Sequence, residues 1–316
     1  MKNIYNFFLI IAISQIILFC ITEKSYTEEK KTNFKTREFS VGQSEQSLQG
    51  VNSSDGKASL EVWFNQFFKD KKFDIKIKVN IYQNIDLIIN DLNNRKIDYV
   101  TLNSLEFCRI KEKSSIEGLM SGIQNGKIKK ELVLVTNNEK IKTIKDLKNK
   151  KVIIDIGNLG DIPLVWLDTI LLKEELPIHK YFFKSIKKVG KSSQAVMPLY
   201  FNQDVDACIL TENAYNILCE LNPKIAGKLY VLQHSPAFLP SIFCISKTAD
   251  KEVRDKLLKM IDEINGNPKT KQGMALFKMD KIIPFEPEHI KSVEKLLLEY
   301  KNLAGGSEIF YNTDYR

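Results

Sequence analysis

Two short stretches of the chain carry the same pattern. Residues 94–102 read Asn-Arg-Lys-Ile-Asp-Tyr-Val-Thr-Leu, and residues 202–210 read Asn-Gln-Asp-Val-Asp-Ala-Cys-Ile-Leu. Each has a polar turn, an aliphatic residue, an aspartate (Asp98 or Asp206) and then an apolar run of strand character. Each follows an amphipathic helical segment. Polar residues come next: Asn103, Ser104 and Glu106 in one case, Thr211, Glu212 and Asn213 in the other. Two α/β halves built alike imply a cleft between two lobes, because groups that face a ligand lie beyond the carboxy ends of strands in open α/β sheets. The two aspartates themselves are expected to anchor their turns by accepting local backbone N–H groups.

The rest of the chain fits two such halves. Glu38–Gln43, Asp74–Tyr82, Glu131–Thr136, Lys151–Asp155, Tyr181–Val189, Leu229–Gln233 and Ile242–Ser246 read as strands. Ile85, Ile88, Ile89 and Leu92 form one helical face, and Leu60, Trp63, Phe64 and Phe67 another, which makes Trp63 a core residue. Pro163–Leu172 reads as a helix with its proline in the first turn. Ala214–Leu221, Lys251–Ile264, Pro268–Leu276 and Glu288–Leu303 are further helices. This alternation predicts an α/β protein with mostly parallel sheets flanked by helices, and 316 residues suffice for two lobes. Two hinge crossings are placed at Thr136–Lys140 and Gln233–Ser241. Lobe one then takes residues 38–135 plus 236–303, lobe two takes 136–235, and 304–316 form a tail.

Residues 1–21 read as a signal segment: Lys2 supplies the positive start and Phe7–Ile21 is apolar apart from Ser14 and Gln15. It ends Ile17-Leu18-Phe19-Cys20. Residues 22–37 are polar, without apolar periodicity, and read as a flexible tether. Export follows, to the periplasm or cell surface. The remaining cysteines, Cys108, Cys208, Cys219 and Cys244, are scattered in apolar contexts and read as buried free thiols. The three histidines lack ligand spacing, so no metal site is expected. Net charge is +8, but the lysines are dispersed, with small clusters at Lys127–Lys130 and Lys184–Lys191. Without an arginine-rich face or interleaved aromatics this argues against nucleic acid and for a solvated surface, with attraction to anionic solutes or membranes as the weaker alternative. No nucleophile elbow, phosphate loop or zinc-protease motif is present, which argues against an enzyme.

Glu131–Val135, the Lys145-Asp146-Leu147-Lys148-Asn149-Lys150-Lys151-Val152 run, the glycine loop and helix of 157–172 and Asp204–Leu210 carry a resemblance. So do the Ser235-Pro236 to Pro240 loop and the closing Phe285–Leu298 helix. Together, over roughly residues 38–300, they resemble the phosphate/phosphonate-type substrate-binding proteins of ABC transporters. The resemblance implies a type 2 periplasmic-binding fold. It also implies a monomer, without cofactor, that delivers a small polar solute to an ABC-transporter permease. The leader resembles a bacterial lipoprotein signal, with Cys20 as lipidation site and membrane anchor, although Phe19 departs from the usual small residue. A ligand-sensing adaptor of the same fold is the alternative function.

Several residues are candidate ligand contacts. Ser44 and Glu45 follow the first strand, and Asn103 and Ser104 follow the strand of Asp98. Thr136 and Asn137 sit at the expected first hinge. Asn158 and Asp161 lie at a helix mouth, Ser192 and Ser193 precede a helix, and Glu212 follows the strand of Asp206. The resemblance places Ser/Thr hydroxyls at the helix mouth to hold an oxyanion, but this chain reads Asn158-Leu159-Gly160-Asp161. Asp161 is expected to cap the helix and to repel a dianion there, which leaves a neutral, zwitterionic or cationic solute equally open.

Overall fold

The computed structural model describes residues 37–48, 51–58, 60–61, 75–97, 99–157, 159–201, 203–249, 251–259, 261–266, 274 and 278–305. The signal segment with Cys20, the tether up to residue 36, Trp63, Asp98, Asn158, most of Pro268–Leu276 and the tail beyond 305 lie outside them.

Alternating apolar strands and amphipathic helices form two sheets. The first contains β1 (Arg37–Ser44), β2 (Ile75–Tyr82), β3 (Tyr99–Asn103), β4 (Ile116–Ile123), β10 (Ser241–Ser246) and β11 (Lys281–Pro284), in the order β2-β1-β3-β10-β4-β11. The second contains β5 (Leu132–Thr136), β6 (Lys151–Asp155), β7 (Ser185–Val189), β8 (Ala207–Thr211) and β9 (Tyr230–His234), in the order β7-β6-β8-β5-β9. Each sheet is mixed. The strands β1, β2 and β3 are parallel, as are β6, β7 and β8, whereas β4, β5, β9, β10 and β11 enter through antiparallel pairings. The antiparallel strands are those next to the two crossings or at the chain's return.

The chain first leaves the β4 sheet between Gln124 and Glu131, one strand earlier than Thr136–Lys140. All five residues of β5 are buried, and β5 is hydrogen-bonded on both sides, to β8 and to β9. An apolar run of that kind belongs to a central strand of the second sheet, so the hinge must precede it. The return runs from His234 to Ser241. The two crossings are bonded to each other: the Lys130 and Phe238 N–H groups each donate to the other's carbonyl at 2.8 Å. The Ser235 N–H donates to the Leu132 carbonyl at 2.9 Å, and the Leu132 N–H donates to Ser235 Oγ at 2.8 Å.

Six helices matter for the site: α1 (Ile85–Asn93), α2 (Ser104–Ile110), α3 (Ile162–Lys173), α4 (Ser192–Tyr200), α5 (Glu212–Leu221) and α6 (Pro287–Leu303). The first residues of Tyr181–Val189 form a helical turn, His179–Phe182, before β7 begins. One apolar core spans both sheets and includes Leu102, Ile242, Ile154, Ile209, Leu167 and Val293. A second cluster covers the other face of sheet two. Along β5, Leu132 and Leu134 face the first core while Val133 and Val135 face the second, the two-residue period of a strand buried on both faces. Helix α6, from the end of the chain, packs on α3 of the second lobe, with Lys173 Nζ 2.7 Å from Glu299 Oε1. Cys108, Cys208, Cys219 and Cys244 are all free thiols, and burial pushes the Cys108 thiol up to about 12.

Candidate functional site

Strand direction determines which polar groups meet. In sheet one, Tyr82, Ser44, Asn103, Ser241, Ile123 and Lys281 lie along one edge by register. In sheet two the corresponding edge carries Asp155, Val189, Thr211, Leu132 and His234. Helices α2, α3, α4 and α5 all start just beyond these edges, so their amino ends converge on the space between the lobes.

Part of that space is closed by direct contact. Gln46, in the short 3-10 turn after β1, donates through Nε2 to Asp161 Oδ2 at 3.3 Å and accepts from Asn103 Nδ2 at 2.8 Å. Gly160 has a φ of +56°, and a Cβ there would lie 2.7 Å from both Asn103 Nδ2 and Gln46 Oε1. Only glycine permits this turn and this approach of one lobe to the other. Lys188 Nζ reaches Asp161 Oδ1 at 2.9 Å from β7.

Asp161 therefore occupies the N-cap position of α3 without capping it through its side chain. This corrects the expectation that its carboxylate would take the helix N–H groups. Lys188 on one side and Gln46 on the other draw the carboxylate outward. The α3 mouth satisfies its donors through the backbone instead. The Gly160 N–H bonds to Ile156, the Ile162 N–H to Leu159, and those of Leu164 and Val165 to the Asp161 carbonyl, while Pro163 has none to offer.

The lobe-one candidates are engaged within the fold. Ser44 Oγ donates to Glu106 Oε1 at 2.5 Å, and Glu106 Oε2 accepts from the Asn103 N–H at 2.9 Å. Asn103 Oδ1 in turn accepts from the Glu106 N–H, completing a capping box at the start of α2. Burial, then the proximity of Asp161 as a minor cause, pushes Glu106 up to about 7 against the lowering effect of its hydrogen bonds. Ser104 Oγ donates to the Leu239 carbonyl at 2.5 Å in the return crossing, and Glu45 accepts from Ser53 Oγ.

In lobe two, Thr136 and Asn137 prove to be far from the hinge. Thr136 pairs with Ala207, at the edge of the sheet opposite the cleft, because β5 runs antiparallel to β8. Thr136 Oγ1 donates to the Asp206 carbonyl and Asn137 Nδ2 to the Leu199 carbonyl, at 2.7 and 2.6 Å. Asp206 accepts from the Lys151 N–H at 2.8 Å, an anchor across the sheet rather than within its own turn. Ser192 and Ser193 are the first two residues of α4, and neither caps it. Ser192 Oγ donates to Asp155 Oδ2 at 2.5 Å, and Asp155 Oδ1 accepts from the Gly157 N–H. Glu212 accepts from His234 Nδ1 at 3.0 Å.

Sequence reasoning missed Gln46 and Lys188. The lysine clusters at 127–130 and 184–191 were visible, but a charge run does not reveal which of its members turns inward. Nothing marks Gln46 among the polar residues of its loop.

Two lobes joined by paired crossings, with strand ends and helix mouths facing each other, define a two-lobed solute-binding protein. Residues 64–290 match the family described as "ABC transporter, phosphonate, periplasmic substrate-binding protein", and the chain belongs to it. Its fold is the type 2 periplasmic-binding fold, and its function is capture of a solute outside the cytoplasm for ABC transport. Among solved structures it is similar to a binding-protein component of an ABC phosphonate transporter from Pseudomonas aeruginosa. That match has 14% identity and a TM-score of 0.60, covering 87% of this chain and 90% of the other. It is also similar to PhnD1 from Prochlorococcus marinus in complex with methylphosphonate, with 16% identity and a TM-score of 0.55, covering 86% of this chain and 100% of the other. A search of the curated proteins gives no match.

Proposed function

We propose that the chain captures a small polar solute of the phosphate/phosphonate class in the cleft between its lobes and hands it to a membrane permease. It is held at the membrane as a monomer by a lipid on Cys20. The observation that carries this reading is the Gln46–Asp161 hydrogen bond, made from one lobe to the other where the strand ends converge. The lobes share one apolar core, and where the strand ends converge they meet by polar contacts that a hinge motion about the bonded crossings can break and remake around a ligand. Of the candidate residues, Ser193 and Glu212 at the amino ends of α4 and α5, with Asp161 and Asn103 at the lobe contact, are those we place against the solute. Ser44, Ser104 and Ser192 support them from behind. The bound methylphosphonate of PhnD1 supports the solute class.

A thermal-shift series with inorganic phosphate, methylphosphonate, 2-aminoethylphosphonate and a panel of amino acids tests the reading. A solute present at 100 times its Kd should stabilise the chain by about 2.7 kcal/mol. A chain that no member stabilises is not a solute-binding protein of this class.

A further inference from the structure

Two buried carboxyl groups, one from each lobe, lie on either side of the contact between the lobes. Glu106 belongs to α2 of lobe one and Asp161 to the mouth of α3 in lobe two, and they are 8% and 2% exposed. Two side-chain amides join them. Asn103, whose N–H donates to Glu106 Oε2, also donates through Nδ2 to Gln46 Oε1 at 2.8 Å. Gln46 Nε2 then donates to Asp161 Oδ2 at 3.3 Å. Amides carry no charge, so this bridge orients the two carboxyl groups without neutralising either.

We propose that Glu106 is a proton-operated switch on the approach of the lobes: with its proton it lets Asp161 settle against Gln46, and ionised it drives Asp161 and its lobe away. The proposal rests on the reading that the lobes close by a hinge motion, and gives that motion a second control besides the solute. The network accommodates both states. As a carboxylate, Glu106 accepts from Ser44 Oγ and from the Asn103 N–H. As a carboxyl group, it donates from Oε1 to Ser44 Oγ, which exchanges donor for acceptor, while Oε2 still accepts from Asn103. The cap of α2 and the amide bridge thus survive protonation, and only the charge facing Asp161 changes.

Closure acts on that charge in two ways: it excludes water, and it brings up a second carboxylate. Burial is the largest influence on Glu106 and raises it. Its hydrogen bonds and Arg109, in the next turn of α2, lower it, and Asp161 raises it. The remaining groups around it are accounted for. The Cys244 thiol in β10 is pushed well up by burial and stays un-ionised. Lys111, further along α2, is paired with Glu294 of α6. Lys188 binds Asp161 Oδ1, the oxygen that Gln46 does not use. Closed lobes therefore hold the proton more tightly than open ones. By linkage the closed arrangement is favoured at acid pH and loses ground as the pH rises to about 7, the value for Glu106 with the lobes in contact.

Resonance energy transfer between labels at Leu87 on α1 of lobe one and at Tyr181 of lobe two, both exposed, follows the lobes of the full chain from pH 5 to 8. The labels enter as non-natural amino acids, which leaves the native thiols untouched. Each unit by which closure raises the group changes the closed-to-open ratio about tenfold, and a fall of about threefold or more is expected between pH 5 and 7, levelling off above. Glu106→Gln keeps the network in its uncharged form and should hold the ratio near its acid value throughout. Gln46→Leu cuts the bridge and should lower the ratio at every pH. If Glu106→Gln does not fold, the carbon-13 resonance of the Glu106 carboxyl in the wild type replaces it, and must titrate over the same range as the opening. A wild-type ratio independent of pH overturns the proposal. So does an equal slope in Glu106→Gln, wild-type closure in Gln46→Leu, or a Glu106 that titrates outside that range. These results leave solute capture by a hinge standing, whereas a single distance that neither pH nor any solute of the thermal-shift series moves removes the hinge as well.

Discussion

At position 106 a carboxyl group is almost fully buried between Ser44 Oγ and the Asn103 N–H. Its folded value of about 7 lies above the ordinary 4.5, so the folded state binds more protons than the unfolded state between those limits. Stability must therefore fall as pH rises from about 4.5 to about 7. The contribution is fully present below the lower limit and lost above the upper one, by an amount of the order of 3 kcal/mol at most. Glu106→Gln removes this dependence. Denaturant melts of wild type and variant between pH 5 and 7.5 should show a difference in stability that changes steadily with pH, and parallel curves would contradict it. The Asn103-x-x-Glu106 spacing is a capping box, legible in the sequence. What the sequence did not disclose is the third member, Ser44, which arrives from a strand 59 residues upstream of Asn103. A candidate ligand contact thus became part of a buried support.

Among the elements, α2, β4 and β11 were not foreseen, and for β4 the reason is visible. Ile-Glu-Gly-Leu-Met-Ser-Gly-Ile carries two glycines and lacks clean alternation. The glycines are there for tertiary reasons. A Cβ at Gly118 would lie 2.5 Å from Phe285 Cδ1, and at Gly122 it would strike Met279. Phe285 is fixed edge-to-face against Phe107 at 5.7 Å and against His289 at 5.9 Å, so it cannot yield. Gly118→Ala should cost about 1–3 kcal/mol in chemical denaturation, and Gly122→Ala less, because a methionine side chain adapts. Equal, negligible losses at both positions would show that the ring moves freely. The elements whose local pattern and burial agree were readable: β5, β6 and β8 as short apolar runs bounded by polar turns, and α1 by its helical period. At α3 the start of the helix was readable and the direction of Asp161 was not, since Lys188 and Gln46 come from other elements.

For the whole molecule, the two lobes were legible in the repeated strand, and the order of elements carried the family resemblance. The first hinge was misplaced because the apolar run of β5 looks the same at the end of one sheet as at the centre of the next. Only its two neighbours, β8 and β9, decide. The proposed lipid anchor at Cys20 is likewise tested on the whole chain. Cys20→Ser should move the protein from the membrane to the soluble fraction on cell fractionation and abolish labelling by a radioactive fatty acid, with solute affinity unchanged. An unlabelled wild type would remove the lipid from the proposal. The interleaving of sheet one has a consequence for biogenesis. Strand β10 lies between β3 and β4, yet it is made more than a hundred residues after them. While the ribosome is still working, β3 and β4 each lack an inner neighbour, and that half of the protein has no finished sheet to lock. Until β10 arrives the first sheet therefore cannot close, whereas the second, whose strands β5 to β9 follow one another without interruption, can pair as soon as it is made.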